Sequence, residues 1–150
     1  MRLLIQRVKR ASVSVEGAVC SAIGPGLLIF VGVGHEDTAE DIDWLVRKAA
    51  KLRIFADQAG VMNRDVVETG GEILCVSQFT LQASTKKGNR PSYIGAAGEA
   101  VARPLYDAFR AALARETGIA PKDGVFGGDM QVELLNDGPV TIWIDSKNRE

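Results

Sequence analysis

Val13 and Val15 alternate with Ser12 and Ser14, the period-two pattern of a half-buried strand. The stretch around them, LLIQRVKRASVSVEG, closes on Glu16-Gly17 and predicts a hairpin into AVCSAI. GPG at 24–26 introduces LLIFVGV, a continuous apolar run expected of a strand buried on both faces. The period then lengthens. In HEDTAEDIDWLVRKAAKLRIF, the apolar residues Ile42, Leu45, Val46, Ala49 and Leu52 form one helical stripe. Asp37 or Thr38 can cap that helix, with Glu40 or Asp41 three residues later. Residues 57–72 are polar and glycine-bearing, so they predict a loop or a short edge hairpin. EILCVSQFTL (72–81) reads as strand, and residues 82–98 as a long polar connection. EAVARPLYDAFRAALARETG (99–118) predicts a second helix, with Leu105, Phe109, Ala112 and Leu113 on one face and Gly118 as its stop. Pro104 marks the start of that helix or a kink in it. FGGDMQVELL and VTIWID read as closing strands around the turn residues Asn136, Asp137 and Gly138. A hairpin could close on Asp-Gly alone, which leaves Pro139 unexplained.

The resulting order, roughly βββαββαββ, predicts one α+β domain: a mostly antiparallel sheet or partly closed barrel with two main helices. A chain of 150 residues fits one such domain and can bury a core without staples. Net charge is −1, so no global basic field recruits nucleic acid, although local basic patches remain open. Cys20 and Cys75 belong to no metal-spaced cluster, and their 55-residue separation allows pairing only in an oxidising compartment. MRLLIQRVKR lacks a long apolar segment, so no signal peptide is expected, and the default is a cytoplasmic protein with free thiols.

Conventional catalytic chemistry is poorly supplied. The one histidine, His35, reads as a solvated loop residue, which leaves a hydrolytic triad without its usual base. One His and two isolated Cys do not make a zinc site. No phosphate-binding G-x-x-x-x-G-K-[ST] occurs, and the glycines of GPGLLIFVGVG bracket a strand instead of opening a helix. Neither metal nor cofactor is expected. An enzyme built this way must use hydroxyls, backbone amides or a group on its substrate. Two stretches exceed the needs of packing. SQFTL (77–81) ends an apolar strand with three polar side chains, Ser77, Gln78 and Thr80, although a plain sheet-edge strand end would look similar. TKKGNRPS (85–92) places Lys86, Lys87 and Arg90 in a glycine-bearing loop that could meet phosphate or simply be solvated.

Together these stretches resemble one family, the D-aminoacyl-tRNA deacylases, also called D-tyrosyl-tRNA deacylases. The resemblance runs from residue 1 to about 145 through LIQRV, ASVSVEG, IGPGLLIFVGV, SQFTL, GNRPS, LYDAF and DMQVELLNDGPVTIWID. The two motifs that mark the family, SQFT and NxGPVT, are both intact. The resemblance implies hydrolysis of the ester joining a D-amino acid to the terminal adenosine of tRNA, and of glycine mischarged onto alanine tRNA. It also implies a homodimer with the active site at the subunit interface. In that family the Gly138-Pro139 bond is cis and enters the partner's site as a chirality filter. Gly138 has no Cβ, so its backbone can approach a substrate closely. The catalytic segment is then Ser77, Gln78, Phe79 and Thr80. Backbone N–H groups around Ser77 and Phe79 would hold the ester carbonyl, with the tRNA 2′-OH assisting. Gln78 would orient the substrate or the motif strand, and Thr80 would position more than attack. Arg7, Lys86, Lys87 and Arg90 are the expected tRNA contacts. Two other readings are a non-catalytic tRNA-binding or interaction module, and a serine esterase using Ser77 or Ser92.

Overall fold

The computed structural model describes residues 1–149. In chain order the elements are β1 (Arg2–Val15), β2 (Ala18–Ile23), β3 (Gly26–Gly32), α1 (Ala39–Ala50), β4 (Phe55–Ala56), β5 (Met62–Arg64), β6 (Glu72–Ser77), a 3-10 turn (Phe79–Gln82), α2 (Glu99–Thr117), β7 (Lys122–Asp123) and β8 (Gln131–Asp145). Glu16 and Gly17 both adopt positive φ, 50° and 79°. Two such residues make the hairpin turn whose twist suits β1 and β2.

β1 is the organising strand. Antiparallel to it lie β3 and β2 along one edge and β8 along the other. The sheet is mostly antiparallel, as expected, and its remaining pairings are parallel: β3 with β6, and β6 with β7. The long α1 and α2 segments are therefore crossovers, which a parallel pair requires. The sheet is mixed and curls into a nearly closed barrel, where Lys122 of β7 donates to the carbonyl of Ala22 on β2 at 2.6 Å.

Two apolar layers result. Leu3, Ile5, Leu27, Ile29, Ile73 and Cys75 pack against α1 and α2, where Leu45, Phe109 and Leu113 are fully buried. Val8, Ala11, Val13, Leu28, Leu74 and Val76 form the other layer, inside the curl. β3 serves both layers, which explains its unbroken apolar run. Each such large side chain contributes about 1.5–3 kcal/mol by leaving water.

α1 begins as expected: Thr38 is its N-cap, and Asp41 accepts from the Thr38 backbone N–H at 2.8 Å. Lys147 donates to Asp41 Oδ2 at 2.8 Å, and the Met1 ammonium donates to Ser146 Oγ at 2.7 Å. Burial raises the Asp41 carboxyl, but the bonds from Lys147, Ser146 and Thr38 outweigh it and hold the group below the ordinary range. Residues 55–64 form the short hairpin expected of a loop or edge. α2 starts at Glu99, so Pro104 lies inside it and not at its beginning, while Gly118 ends it in the left-handed region at φ 71°.

Two expectations near the motifs are corrected. The strand of EILCVSQFTL stops at Ser77, and Phe79–Gln82 is a 3-10 turn. NDGPVT is not a hairpin turn at all. Both of its flanks belong to β8, and both run antiparallel to β1. Val8 faces Asn136 while Gln6 faces Thr141, so β8 carries three extra residues there. An odd insertion flips every later side chain to the other face. Val132 and Leu134 accordingly fill the barrel interior, whereas Ile142 and Ile144 join the helix-side layer. The bulge lets one strand serve both cores.

Candidate functional site

A cavity of about 480 Å³ opens where β3 and β6 end. Ser77, Gln78 and Phe79 line it on one side. Glu99, Ala102 and Tyr106 of α2, and the loop Phe126–Met130, close the others. Its position follows from the fold: parallel strands end beside each other, and the chain must leave both there.

The 3-10 turn is held against β3 by several bonds. The Gln78 backbone N–H donates to the Val31 carbonyl at 2.8 Å. The Gln82 side-chain amide donates to the Gly32 carbonyl at 2.9 Å. A Cβ on Gly32 would stand 2.8 Å from Leu81 Cβ and 2.9 Å from the Gln78 carbonyl oxygen, so glycine is required for this close approach. A 3-10 turn leaves its first N–H without an intrahelical acceptor, and here that residue is Phe79. Phe79 is exposed and stacks edge-on against Tyr93 at 5.1 Å. Thr80 does not line the cavity. Its hydroxyl accepts a bond from the Gln78 side-chain amide at 2.5 Å.

The sequence reading missed the cavity's far wall. Gly127 has φ 72°, and a Cβ on Gly124 would meet Met130 Sδ at 2.7 Å. The paired glycines of FGGDM were the available signal, but they were read as the lead into a strand. Behind this wall the Tyr106 hydroxyl donates to Asp123, which also pairs with Arg110 at 2.8 Å. Burial and then its neighbours drive the Tyr106 hydroxyl far up, so it stays protonated as a donor.

The NxGPVT bulge is a second construction. Asn136 spans it: Oδ1 accepts from the Val140 N–H at 2.9 Å, and Nδ2 donates to Thr141 Oγ1 at 3.1 Å. Gln6 also donates to Thr141 Oγ1, at 3.2 Å. Arg7 Nε donates to the Asp137 carbonyl at 3.0 Å, and Arg7 Nη1 donates to the Ile54 carbonyl. Gly138 has φ 129°, and a Cβ there would lie 2.8 Å from Arg7 Nη2. The Gly138-Pro139 bond is cis, and both residues are exposed. The side chain of Arg7, an expected tRNA contact, is 13% exposed; its guanidinium bonds the Asp137 and Ile54 carbonyls and pairs with the Asp137 carboxylate at 3.3 Å.

Neither Gly138 nor Pro139 lines the cavity of their own chain. Ser77 faces Val31, which faces Leu3, whereas the bulge lies opposite Arg7. Three strand spacings and four residues separate the two constructions, on the order of 20 Å along the sheet.

Lys86, Lys87 and Arg90 project from a loop pinched shut by the Ser84–Ser92 pair, with bonds of 2.8 and 2.9 Å. No ion pair engages them among the described residues. His35 lies elsewhere, exposed, with Nε2 at 2.8 Å from the Ile94 carbonyl. Ser92 is on the same loop and does not line the cavity. Cys20 is exposed and Cys75 buried, and they do not pair. No group of three or more His, Cys, Asp or Glu residues suited to a metal occurs among the described residues. No helix among them is long and apolar enough to cross a membrane.

The overall fold, a curled mixed sheet carrying two helices, is shared with solved structures. One described as a c-Myc DNA unwinding element binding protein superposes at TM-score 0.92, with 43% identity, covering 97% of this chain and 98% of that one. One described as a probable eukaryotic D-amino acid tRNA deacylase matches at TM-score 0.81 and 17% identity, covering 95% and 97%; this likeness concerns the fold. The chain belongs to the D-Tyr-tRNA(Tyr) deacylase family, whose model matches residues 4–145. Proteins named D-aminoacyl-tRNA deacylase from Bacteroides thetaiotaomicron and Chromobacterium violaceum are 58% and 57% identical over 150 residues, the full length of each chain. The protein of that name from Dechloromonas aromatica is 54% identical over 147 residues, 98% of both.

Proposed function

We propose that this chain is a tRNA-editing hydrolase that cleaves the ester of D-aminoacyl-tRNA and of glycyl-tRNA(Ala), as a cytoplasmic homodimer. Family membership and full-length relatives carry the deacylase activity. The separation of bulge from cavity within one chain is the observation that supports an interface site. An exposed, rigidly clamped Gly138-Pro139 has no function toward its own cavity, but it can enter that of a second copy. There its backbone stands where an L side chain would have to go. Rejection of this kind discriminates between molecules that have identical atoms. Glycine has nothing to clash and passes.

The reaction adds water to the ester carbonyl and breaks the bond to the ribose 3′ oxygen, releasing the amino acid and tRNA with a free 3′-OH. The Phe79 N–H at the open start of the turn, with N–H groups around Ser77, supplies the oxyanion donors. Ser77, Gln78 and Phe79 contact the substrate end. Thr80 positions the turn by accepting the Gln78 amide bond. Among the described residues the Thr80 hydroxyl bonds only the Gln78 amide and no base side chain, so the neighbouring 2′-OH of the substrate assists the attack. Lys86, Lys87 and Arg90 hold phosphate, whereas Arg7 holds the bulge. The deciding measurement is amino-acid release from D-Tyr-tRNA, L-Tyr-tRNA and Gly-tRNA(Ala). Hydrolysis of the first and third with the L ester spared is expected. Equal hydrolysis of D and L would remove the filter, and undiminished hydrolysis of a 2′-deoxyadenosine ester would remove the 2′-OH role.

A further inference from the structure

A basic surface lies outside both constructions. Arg47, Lys48, Lys51 and Arg53, with Trp44 and Leu52, surround an open concavity of about 620 Å³ at the C-terminal end of α1. All four cations are exposed in a chain whose net charge is −1. Among the described residues only Lys51 of the four pairs with a carboxylate, Asp65 at 3.5 Å. Lys48 lies over the Trp44 ring at 5.5 Å, with Arg149 over the same ring at 4.7 Å. The helix dipole accounts for cations in the last turn of α1; Arg53, beyond its end, donates Nε to the Asn63 carbonyl at 2.8 Å and keeps its charge without a carboxylate partner among the described residues.

The location supplies the second argument. Arg7 ties the Ile54 carbonyl to the Asp137 carbonyl. The residue after Arg53 is thus fastened to the Gly138-Pro139 bulge. The Ser77 turn lies three strands away across the sheet. In a dimer whose bulge enters the partner's cavity, this surface therefore accompanies the bulge toward the partner's substrate.

We propose that the Arg47–Lys48–Arg53 surface binds the phosphate backbone of the tRNA acceptor arm. The inference rests on the proposed action on aminoacyl-tRNA. Phosphate contacts give affinity without base sequence, as an enzyme acting on many tRNAs requires. Lys51 is left out of the test because it holds Asp65, and thermal unfolding of the variant checks that giving up the Arg53 bond to the Asn63 carbonyl leaves the fold intact.

The test uses the full-length triple variant Arg47→Gln, Lys48→Gln, Arg53→Gln. Kinetics are measured on D-Tyr-tRNA and on the D-tyrosyl ester of adenosine, and binding of uncharged tRNA is titrated with salt. The expected result is a KM for D-Tyr-tRNA raised about tenfold or more at low salt, with kcat unchanged and the slope of log K against log salt reduced by about 2–3. The adenosine ester should be hydrolysed as before, and Arg47→Lys, Lys48→Arg, Arg53→Lys should restore tRNA binding. An unchanged KM and salt slope overturns the proposal. So does an equal loss on the adenosine ester, which would place the effect in the cavity. Loss of binding to phosphatidylglycerol vesicles with the tRNA slope intact would overturn it in favour of a membrane surface. Failure of the wild type to hydrolyse either ester would count against the proposed function alone, because the uncharged-tRNA titration tests the surface without turnover.

Discussion

The Ser77–Gln82 turn and the Asn136–Thr141 bulge solve one local problem in opposite directions. Each interrupts a strand, and each is braced by a side-chain amide, Gln78 in one and Asn136 in the other. Each needs a glycine for close backbone approach, Gly32 or Gly138. Yet the turn folds back onto β3 and borders a cavity, while the bulge pushes its glycine and proline into solvent. The turn follows β6, whose middle is buried on both faces. The bulge is in β8, which pairs only with β1 and has one open edge. Where the core grips a strand on both sides, an interruption makes a recess. On an edge strand it makes a projection, which in the proposed dimer enters the recess of the second copy.

The strongest way to break this pairing is Gly138→Ala. The added Cβ meets Arg7 Nη2 at 2.8 Å and Val140 Cγ2 at 2.9 Å, in a φ of 129° that L residues rarely adopt. Backbone strain of about 1–3 kcal/mol is expected, and kcat/KM on D-Tyr-tRNA should fall by about 100-fold or more, a displacement of the filter worth roughly 3 kcal/mol. Thermal unfolding and single-turnover kinetics read both effects. Unchanged kinetics would detach the bulge from the reaction.

Asn136→Ala should come next. It strips the Val140 N–H of its acceptor and Thr141 of a donor, at about 1–3 kcal/mol of stability. A loosened bulge should admit the L ester, so the D-to-L ratio of hydrolysis rates should drop about tenfold. A lower melting temperature with the ratio intact would mean that the clamp serves only the fold.

Thr80→Ala sharpens the other half of the comparison. If Thr80 only accepts the Gln78 amide bond, removing it costs about 1 kcal/mol of positioning, and turnover falls less than about tenfold. Abolished turnover in a folded, tRNA-binding variant would make Thr80 the nucleophile.

The smallest effect concerns the strand beneath the turn. Burial pushes the Cys75 thiol up to about 12, with Arg110 opposing and Asp123 adding to the shift. A folded pKa above the unfolded one makes its contribution to stability complete below about 8.5 and lost as pH rises toward 12. At pH 8 a thiol reagent should label Cys20 quickly and Cys75 only after denaturant is added. Native labelling of both would show that β6 is not gripped as described.

Much of this was legible beforehand, for reasons that differ by element. The α1 stripe and its Thr38–Asp41 cap were readable because helical period and capping are local. The Glu16-Gly17 hairpin was readable because a glycine-bearing break follows the alternating ASVSV run directly. Parallel pairing of β6 and β7 was not, since register between distant strands leaves no short-range mark. NDGPVT was misread as a hairpin because its turn chemistry is genuine. Only the partner strand reveals that both flanks run the same way. SQFT was located correctly but continued as strand, because the 3-10 turn depends on Gly32 of a different strand.

The site divides along the same line. By itself the amino-acid order settles which two motifs are present and which family they mark, because motif identity is a property of neighbours along the chain. It leaves Arg7 looking like a free cation and FGGDM like a strand lead. Only the folded chain spends Arg7 on the carbonyls of Ile54 and Asp137, walls the cavity with Phe126–Met130, and sets the two motifs three strands apart on one sheet. The reason is that exposure, distance and the partner of a hydrogen bond are relations among residues far apart in the chain, and packing alone brings those residues together.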